Sequence, residues 1–333
     1  MTLEQLGAGI DFVSDSPPAN ATDGDTLLDT SLSPPEVKVF DGSVGSFVTP
    51  QTAQNLDQKV SNAGADLRFR SPFQISTASF LLNFNPLNQE QFPTAVAFSD
   101  AGGIMYVTGV GSSSVHQYSL SAPFEVNSAS FSGSSFSVSG QEGRPQGISI
   151  NNDGKALFAI GTNSSSVHQY SLSAPFEVNS ASFSGSSFDV SGEESSPRDV
   201  AFNNDGTSMF VIGNSSDQVH QYSLSTGFDI STASFVASFF VGGQDSSPEG
   251  IAFNGDGGSM FVTGSGSNQV YQYSLSTGFD ISTLSFTGTT FDVSGQETSS
   301  KDVSFSTDGH RMYVIGNSGN RVQQYLIGTV ARK

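Results

Sequence analysis

The chain repeats itself. A Gln-Tyr pair recurs with its tyrosine at Tyr118, Tyr170, Tyr222, Tyr273 and Tyr325, so the spacings are 52, 52, 51 and 52 residues. Residues 112–136 are identical to residues 164–188. A unit of that length cannot bury a core by itself. It needs neighbouring copies, and the architectures that supply them are stacked solenoids or radial rings.

Each unit divides into four strand-like segments. In the second unit these are residues 146–151 (QGISIN), 156–161 (ALFAIG), 167–172 (VHQYSL) and a Phe/Ser-rich stretch over 181–190. Between the first two stands Asn152-Asp153-Gly154, a strong hairpin turn. Asp-Gly recurs at Asp205-Gly206, Asp256-Gly257 and Asp308-Gly309, and the first unit reads Asp100-Ala101-Gly102-Gly103. Large and small residues alternate in the first segment, as in Val200-Ala201-Phe202, which suits a crowded strand near an axis. Four antiparallel strands per roughly 50 residues make one propeller blade. Complete blades are predicted to begin at Thr94, Gln146, Arg198 and Glu249. A fifth begins at Lys301 and supplies three strands, ending at Leu326. Its fourth strand stands elsewhere: residues 71–80 (SPFQISTASF) parallel residues 122–131 (APFEVNSASF). Residues 78–84 are therefore predicted to pair with residues 322–326 and close the ring, which removes a free sheet edge. The expected fold is all-β: a five-bladed β-propeller of four-stranded blades over residues 66–333. A small β module over 1–48 and a helical linker over 49–65 precede it. Leu56, Val60 and Ala63 share one helical face in that linker. It would be either a trimeric stalk or a helix packed on the module. Leu67 to Arg70 resembles a third-strand position already filled and is expected to link the ring to the N-terminal region.

Composition narrows the function. Thirty-one acids against 12 Lys and Arg give a formal charge of -19, which disfavours nucleic acid as a partner. With no Cys there is no disulfide framework and no thiolate site. The most apolar run, residues 235–241, is far short of the roughly 18 to 20 residues a helix needs to span a bilayer, so no membrane insertion is expected. Glu4 stands where a signal peptide would carry positive charge, which disfavours classical secretion.

Two resemblances follow from quoted residues. The blade pattern joins an inner strand, an Asp-Gly turn, (Met/Leu)-(Tyr/Phe)-Val, Val-x-Gln-Tyr-x-Leu and Phe-x-Val-Ser-Gly. It resembles the propeller repeats of phage and marine bacterial proteins, over about three quarters of the chain. The run from Ser14 through Pro17-Pro18, Gly24-Asp25 and Asp29-Thr30 leads to Val37-Lys38-Val39-Phe40-Asp41-Gly42-Ser43. This resembles a short motif of tailed-phage fibre and tail proteins. Leu27-Leu28 replaces the family's aromatic residue, and Gly45-Ser46-Phe47 stands where a Trp is usual. The resemblance implies a virion attachment module. It places the chain at the virion surface, with other virion proteins as partners of the N-terminal region.

One carboxylate recurs in each loop before an inner strand: Glu90, Glu142, Glu194, Asp245 and Glu297. These acids would line a ligand site or hold Ca²⁺. The preferred alternative is that each accepts hydrogen bonds from backbone N–H groups of its own turn. His116, His168 and His220 occupy equivalent third-strand positions, with Tyr271 and Gln323 in the other two blades. Third strands lie roughly 10 Å outward from the innermost, so a shared metal site is disfavoured; packing between blades with one nitrogen hydrogen-bonded is expected. His310 lies in a turn and should be exposed. The first inner-strand position varies as Thr94, Gln146, Arg198, Glu249 and Lys301. Arg198, Glu249 and Lys301 would pair across the channel mouth, or would bind an anionic or sugar ligand. Asp199, Glu249 and Asp302 are the acids near inner-strand starts, and no acid–base pair is evident among them. Matches to the glycosylation sequon, such as Asn20-Ala21-Thr22 and Asn163-Ser164-Ser165, arise easily in a Ser-rich chain.

Interchangeable blades suit multivalent binding better than one asymmetric active site. The sequence therefore reads as a non-enzymatic virion surface protein of fibre or spike type, recognising a host-surface glycan or protein, with a homo-oligomer expected and a trimer preferred. A purely structural capsid vertex, decoration or baseplate component is the first alternative. A carbohydrate-active propeller enzyme is the second. The acids fall largely on Asp-Gly turns and on the loops before inner strands, which reads as charge spread over exposed loops, as in proteins of halophilic hosts. On that reading, thermal unfolding should show a sharp loss of stability below about molar salt, and indifference to salt would count against it.

Overall fold

The computed structural model describes residues 72–328 in full, together with the backbone of four short strands nearer the N-terminus. The chain divides into two compact units, residues 1–71 with 329–333, and residues 72–328. In the first unit β1 (Phe12–Val13), β2 (Thr26–Asp29), β3 (Glu36–Asp41) and β4 (Ser46–Val48) form one sheet in that order. The two halves of the fibre-like motif pair with each other, Leu28 opposite Val37 and Leu27 opposite Lys38. The predicted helix within 49–65, and Leu67 to Arg70, lie outside the described residues.

In the second unit β5 (Ser79–Phe84) is followed by four complete blades. These are β6 (Pro93–Phe98), β7 (Ile104–Gly109), β8 (Ser114–Leu120) and β9 (Ala129–Ser137); then β10 (Pro145–Ile150), β11 (Ala156–Gly161), β12 (Ser166–Leu172) and β13 (Ala181–Asp189). The third blade is β14 (Pro197–Phe202), β15 (Ser208–Gly213), β16 (Gln218–Leu224) and β17 (Ala233–Phe240). The fourth is β18 (Pro248–Phe253), β19 (Ser259–Gly264), β20 (Gln269–Leu275) and β21 (Leu284–Asp292). The last blade is β22 (Ser300–Phe305), β23 (Arg311–Gly316) and β24 (Arg321–Leu326), completed by β5. The protein is a five-bladed β-propeller. Its closure has the expected register: Phe84 pairs with Val322, Asn83 with Gln323 and Ser79 with Leu326.

Inner strands start one residue earlier than predicted. In four of the five blades that residue is proline: Pro93, Pro145, Pro197 and Pro248. Proline has no N–H for the ladder, and a strand's first residue is one place that tolerates it. A bulge follows at once, as between Pro145 and Gly147.

The core lies between blades. One buried cluster joins Phe210, Ile212 and Val219 of the third blade to Ile251, Met260 and Tyr273 of the fourth. Another joins Tyr313, Ile315 and Val322 of the fifth to Val96, Met105 and Tyr118 of the first. Burial of this apolar surface is the main force holding neighbouring blades together.

The repeated Gln-Tyr pair has two jobs. The glutamine reaches the next blade: Gln117 Oε1 accepts from Val178 N at 3.0 Å, Gln221 from Ile281 N at 3.1 Å, and Gln324 from Val126 N at 2.9 Å. The tyrosine is buried and its hydroxyl donates to the residue just before each loop acid, as from Tyr118 to Gln89 at 3.3 Å and Tyr222 to Glu193 at 3.3 Å. Pairing the hydroxyl avoids the cost of a buried orphan polar group.

Each blade also holds one phenylalanine in the left-handed region: Phe73, Phe124, Phe176, Phe228 and Phe279, with φ from 59° to 64°. This is unusual for a bulky residue and is strained. The glycine of each Asp-Gly turn makes room for it. Gly206, itself at φ +72°, lies under the Phe228 ring, and a Cβ there would stand 2.5 Å from Phe228 N. Phe228 in turn stacks on Phe158 of the second blade and packs at a tilt against Phe202 of its own blade. Gly206→Ala is therefore expected to lower stability by about 2 kcal/mol in denaturant unfolding. Gly243→Ala, with open space around its Cβ, should change it by under about 0.5 kcal/mol.

Candidate functional site

The inner strands carry their variable residues to the axis. At the second position of each strand stand Thr94, Gln146, Arg198, Glu249 and Lys301, and the fold brings three of them together. Glu249 is buried and pairs with both cations: Lys301 Nζ at 2.7 Å from Oε1 and Arg198 Nε at 3.4 Å from Oε2. Ser265 Oγ also donates to Oε1 at 3.1 Å, and Arg198 donates to Asn214 Oδ1 at 3.2 Å. Thr94 turns its hydroxyl to the Pro145 carbonyl at 3.1 Å, linking first and second blades, and Gln146 is buried. The charges at this mouth thus pair with one another.

The five loop acids are not exposed, contrary to the expectation that they spread charge over the surface. Glu90, Glu142, Glu194 and Glu297 are 0% exposed and Asp245 is 2%. Each accepts from the N–H two residues on in its own turn, and also from a facing loop between second and third strands. Glu90 accepts from Phe92 N at 2.8 Å, Gly111 N and Ser112 N at 3.0 Å, and Ser112 Oγ at 2.6 Å. Glu142, Asp245 and Glu297 repeat the pattern on Arg144, Asn163 and Ser164, on Ser247, Gly266 and Ser267, and on Ser299, Ser318 and Gly319. Burial opposes ionisation of Glu194, but hydrogen bonds from the Ser215 and Ser216 hydroxyls and from the Ser196 and Ser216 amides outweigh it and hold its carboxyl below the ordinary value. These acids clasp two loops of one blade. The sequence places an acid in each turn but does not show which amides the second loop presents. Among the described residues no group of three or more His, Cys, Asp or Glu is placed to hold a metal ion.

The three histidines use both ring nitrogens, not one, and do so within their own blades. His116 Nε2 lies 2.9 Å from Ser112 Oγ and Nδ1 lies 2.8 Å from Ser135 Oγ. His168 and His220 repeat this with Ser164 and Ser187, and with Ser216 and Ser238. Burial lowers the pKa of all three. His310 is exposed, as expected.

The third inner-strand position holds what the sequence reading missed. It runs Ala95, Gly147, Asp199, Gly250 and Asp302 around the ring. Asp199 and Asp302 interact at the axis, a pairing that was not evident from the sequence. Each carboxylate is also tied to the next blade: Asp199 Oδ2 accepts from Ile251 N at 3.0 Å, and Asp302 Oδ2 from Val96 N at 2.9 Å. Two glycines permit this. A Cβ on Gly147 would lie 2.6 Å from Asp199 Cα, and one on Gly250 would lie 2.6 Å from Asp302 Cα. Alternating glycine and aspartate between neighbouring blades was the available signal. Burial raises both carboxyls. Asp302 is raised to about 7, and Asp199 is raised further by the charge of Asp302. The two carboxyls titrate as one coupled pair, and burial favours keeping a proton on it. The pair stands at the end of a cavity of about 190 Å³, lined by the later residues of the inner strands, including Ala97, Phe98, Ile150, Phe202 and Ser304.

A raised carboxyl pKa means that the folded state binds protons more tightly than the unfolded one. Its stabilisation is complete below the unfolded value near 3.8 and is lost as pH rises through about 7. Thermal melts of the native chain should therefore fall from about pH 4 to about pH 7. Asp302→Asn, which keeps an acceptor for Val96 N, should flatten that fall.

No family model matches the chain, and no curated protein matches it. Solved structures resemble the chain at low identity. The β-propeller domain of Cps50 (Swd1) from Myceliophteria thermophila is 9% identical, with 75% of this chain and 99% of that one covered and a TM-score of 0.45. A candidate 6-phosphogluconolactonase from Bacteroides uniformis is 13% identical, over 72% and 68%, with a TM-score of 0.46. A functionally unknown protein from Desulfotomaculum acetoxidans is 13% identical, over 67% and 62%, with a TM-score of 0.42.

Proposed function

We propose that the chain is a non-enzymatic virion surface protein whose propeller recognises a host-surface glycan or protein. The observation that carries this reading is the fivefold rim. Each outermost strand presents one exposed phenylalanine at an equivalent place: Phe80, Phe131, Phe183, Phe235 and Phe286, 38% to 48% exposed. Each ring packs on the buried tyrosine of the adjacent strand, with centroids from 5.5 to 5.9 Å apart. Five equivalent aromatic positions on one rigid ring favour many weak contacts acting together. The paired strands of the fibre-like motif support an attachment role for the N-terminal module, with other virion proteins as its partners. A Ca²⁺ role for the loop acids gains no support, since their oxygens already accept three or more hydrogen bonds each.

The second reading, an enzyme, is favoured by Asp199 and Asp302, because a proton-sharing carboxyl pair beside a cavity is a common acid–base device. The size of the cavity weighs against it: about 190 Å³ is below the roughly 300 Å³ at which ligand pockets begin. Labelled protein on bacterial cells and arrayed glycans tests the main reading. Saturable binding is expected, blocked by antibody to the propeller, and Phe131→Ser with Phe183→Ser should weaken it at least about tenfold. No binding from low to about molar salt, with infection unimpaired by the antibody, would defeat it. Glycan turnover abolished by Asp199→Asn would favour the enzyme.

A further inference from the structure

Three blades carry a hydrogen-bonded chain running from the surface to a buried carboxylate. In the first blade Ser135 is exposed on β9, opposite His116 in the ladder. Its Oγ is 2.8 Å from His116 Nδ1; His116 Nε2 is 2.9 Å from Ser112 Oγ; Ser112 Oγ is 2.6 Å from Glu90 Oε2. In the second blade Ser187, His168, Ser164 and Glu142 give 2.8, 2.8 and 2.7 Å. In the third Ser238, His220, Ser216 and Glu194 give 2.8, 3.0 and 2.6 Å.

Donor accounting sets the direction of each chain. An ionised carboxylate only accepts, so Ser112 gives its single proton to Glu90. Its oxygen then accepts from the imidazole, which places the ring hydrogen on Nε2 and leaves Nδ1 bare. The Ser135 hydroxyl therefore donates to Nδ1. An exposed hydroxyl donating to a neutral imidazole, itself oriented by an anion through its other nitrogen, is the arrangement that activates a serine nucleophile. An apolar surface stands beside it. The exposed Phe131 ring is 6.3 Å from the His116 ring, and Phe183 is 6.4 Å from His168.

We propose that Ser135, Ser187 and Ser238 are nucleophiles that take an acyl group from an apolar activated ester, with His116, His168 and His220 as their bases. This goes beyond the recognition reading and requires no turnover. Ser135 Oγ attacks the ester carbonyl carbon and its proton passes to His116 Nδ1. The tetrahedral adduct collapses, the bond from carbon to the leaving oxygen breaks, and the imidazolium returns the proton to that oxygen. Acyl-serine and a free alcohol or phenol result. Ser112 and Glu90 are positioning residues.

The remaining blades are controls within the same molecule: Tyr271 faces Thr290 and Gln323 faces Asn83, with no imidazole at either place. The test treats the full chain with p-nitrophenyl butyrate, and separately with a fluorophosphonate, and maps the adducts by mass spectrometry. Ser135, Ser187 and Ser238 should be modified, and Thr290 and the other exposed serines should not. His116→Gln should slow modification of Ser135 about a hundredfold while Ser187 and Ser238 react as before, which also reports that the variant is folded. Labelling should lose rate at acid pH as the imidazoles protonate. Burial moves that midpoint below the ordinary histidine value, against an opposing pull from Glu90 at His116, from Glu142 at His168, and from Glu194 and Glu193 at His220. Glu90→Gln should shift the Ser135 profile alone. No labelling, labelling spread over exposed serines, or a Ser135 rate indifferent to His116→Gln would overturn the proposal.

Discussion

The pairing of β5 with β24 joins residues more than 200 positions apart, and the ring depends on it. Without that strand the last blade would be one strand short and β24 would lose its outer ladder partner. The residues just before β5 contribute as well. Ile75 is fully buried among Val270, Met312 and Tyr325, between the fourth and fifth blades. On the other side of the fifth blade Phe84 of β5 packs edge-on against Tyr118 of the first blade, with centroids 5.1 Å apart. The closing segment therefore fixes both flanks of the blade it completes. The entropic cost of so long a loop grows only slowly with its length, so five blade interfaces can outweigh it.

A closed ring forces unlike things onto its inner and outer circumferences. At the axis five strands crowd together, so small residues alternate with side chains that must find partners. Glu249 there takes two cations, and Asp199 and Asp302 share a proton. At the rim the strands are far apart and repeat without conflict, so the same Phe, Ser and His positions recur. Asymmetry accumulates at the axis and equivalence at the edge. Eight of the chain's 31 acids are buried among the described residues, and each of the eight serves the fold directly. The acidic balance is thus partly architecture, which narrows the halophile reading to the acids that remain outside.

Most of the fold was legible because the repeat is strong. The Gln-Tyr period gave the number of blades, and the likeness of residues 71–80 to 122–131 gave the closing strand. Strand starts slipped by one because proline reads as a breaker, although here it opens a strand. The site was less legible. A carboxylate in a loop looks exposed when its partners come from a second loop about 20 residues on, as with Glu90 and Ser112. The Asp199–Asp302 pair joins blades that are not neighbours, and no local pattern marks it beyond the glycines at Gly147 and Gly250. The serine–histidine chains were hidden because β9, β13 and β17 read as plain Ser/Phe strands until their register set Ser135, Ser187 and Ser238 opposite the histidines.

Native-state hydrogen exchange resolved along β5 and β24 tests the central claim that closure holds the ring as one unit. If it does, the paired amides of residues 79–84 will exchange only through global unfolding, as slowly as those of β11 and β15. If β5 exchanges orders of magnitude faster than those strands under the same conditions, the ring is held without its closing strand and the account is contradicted.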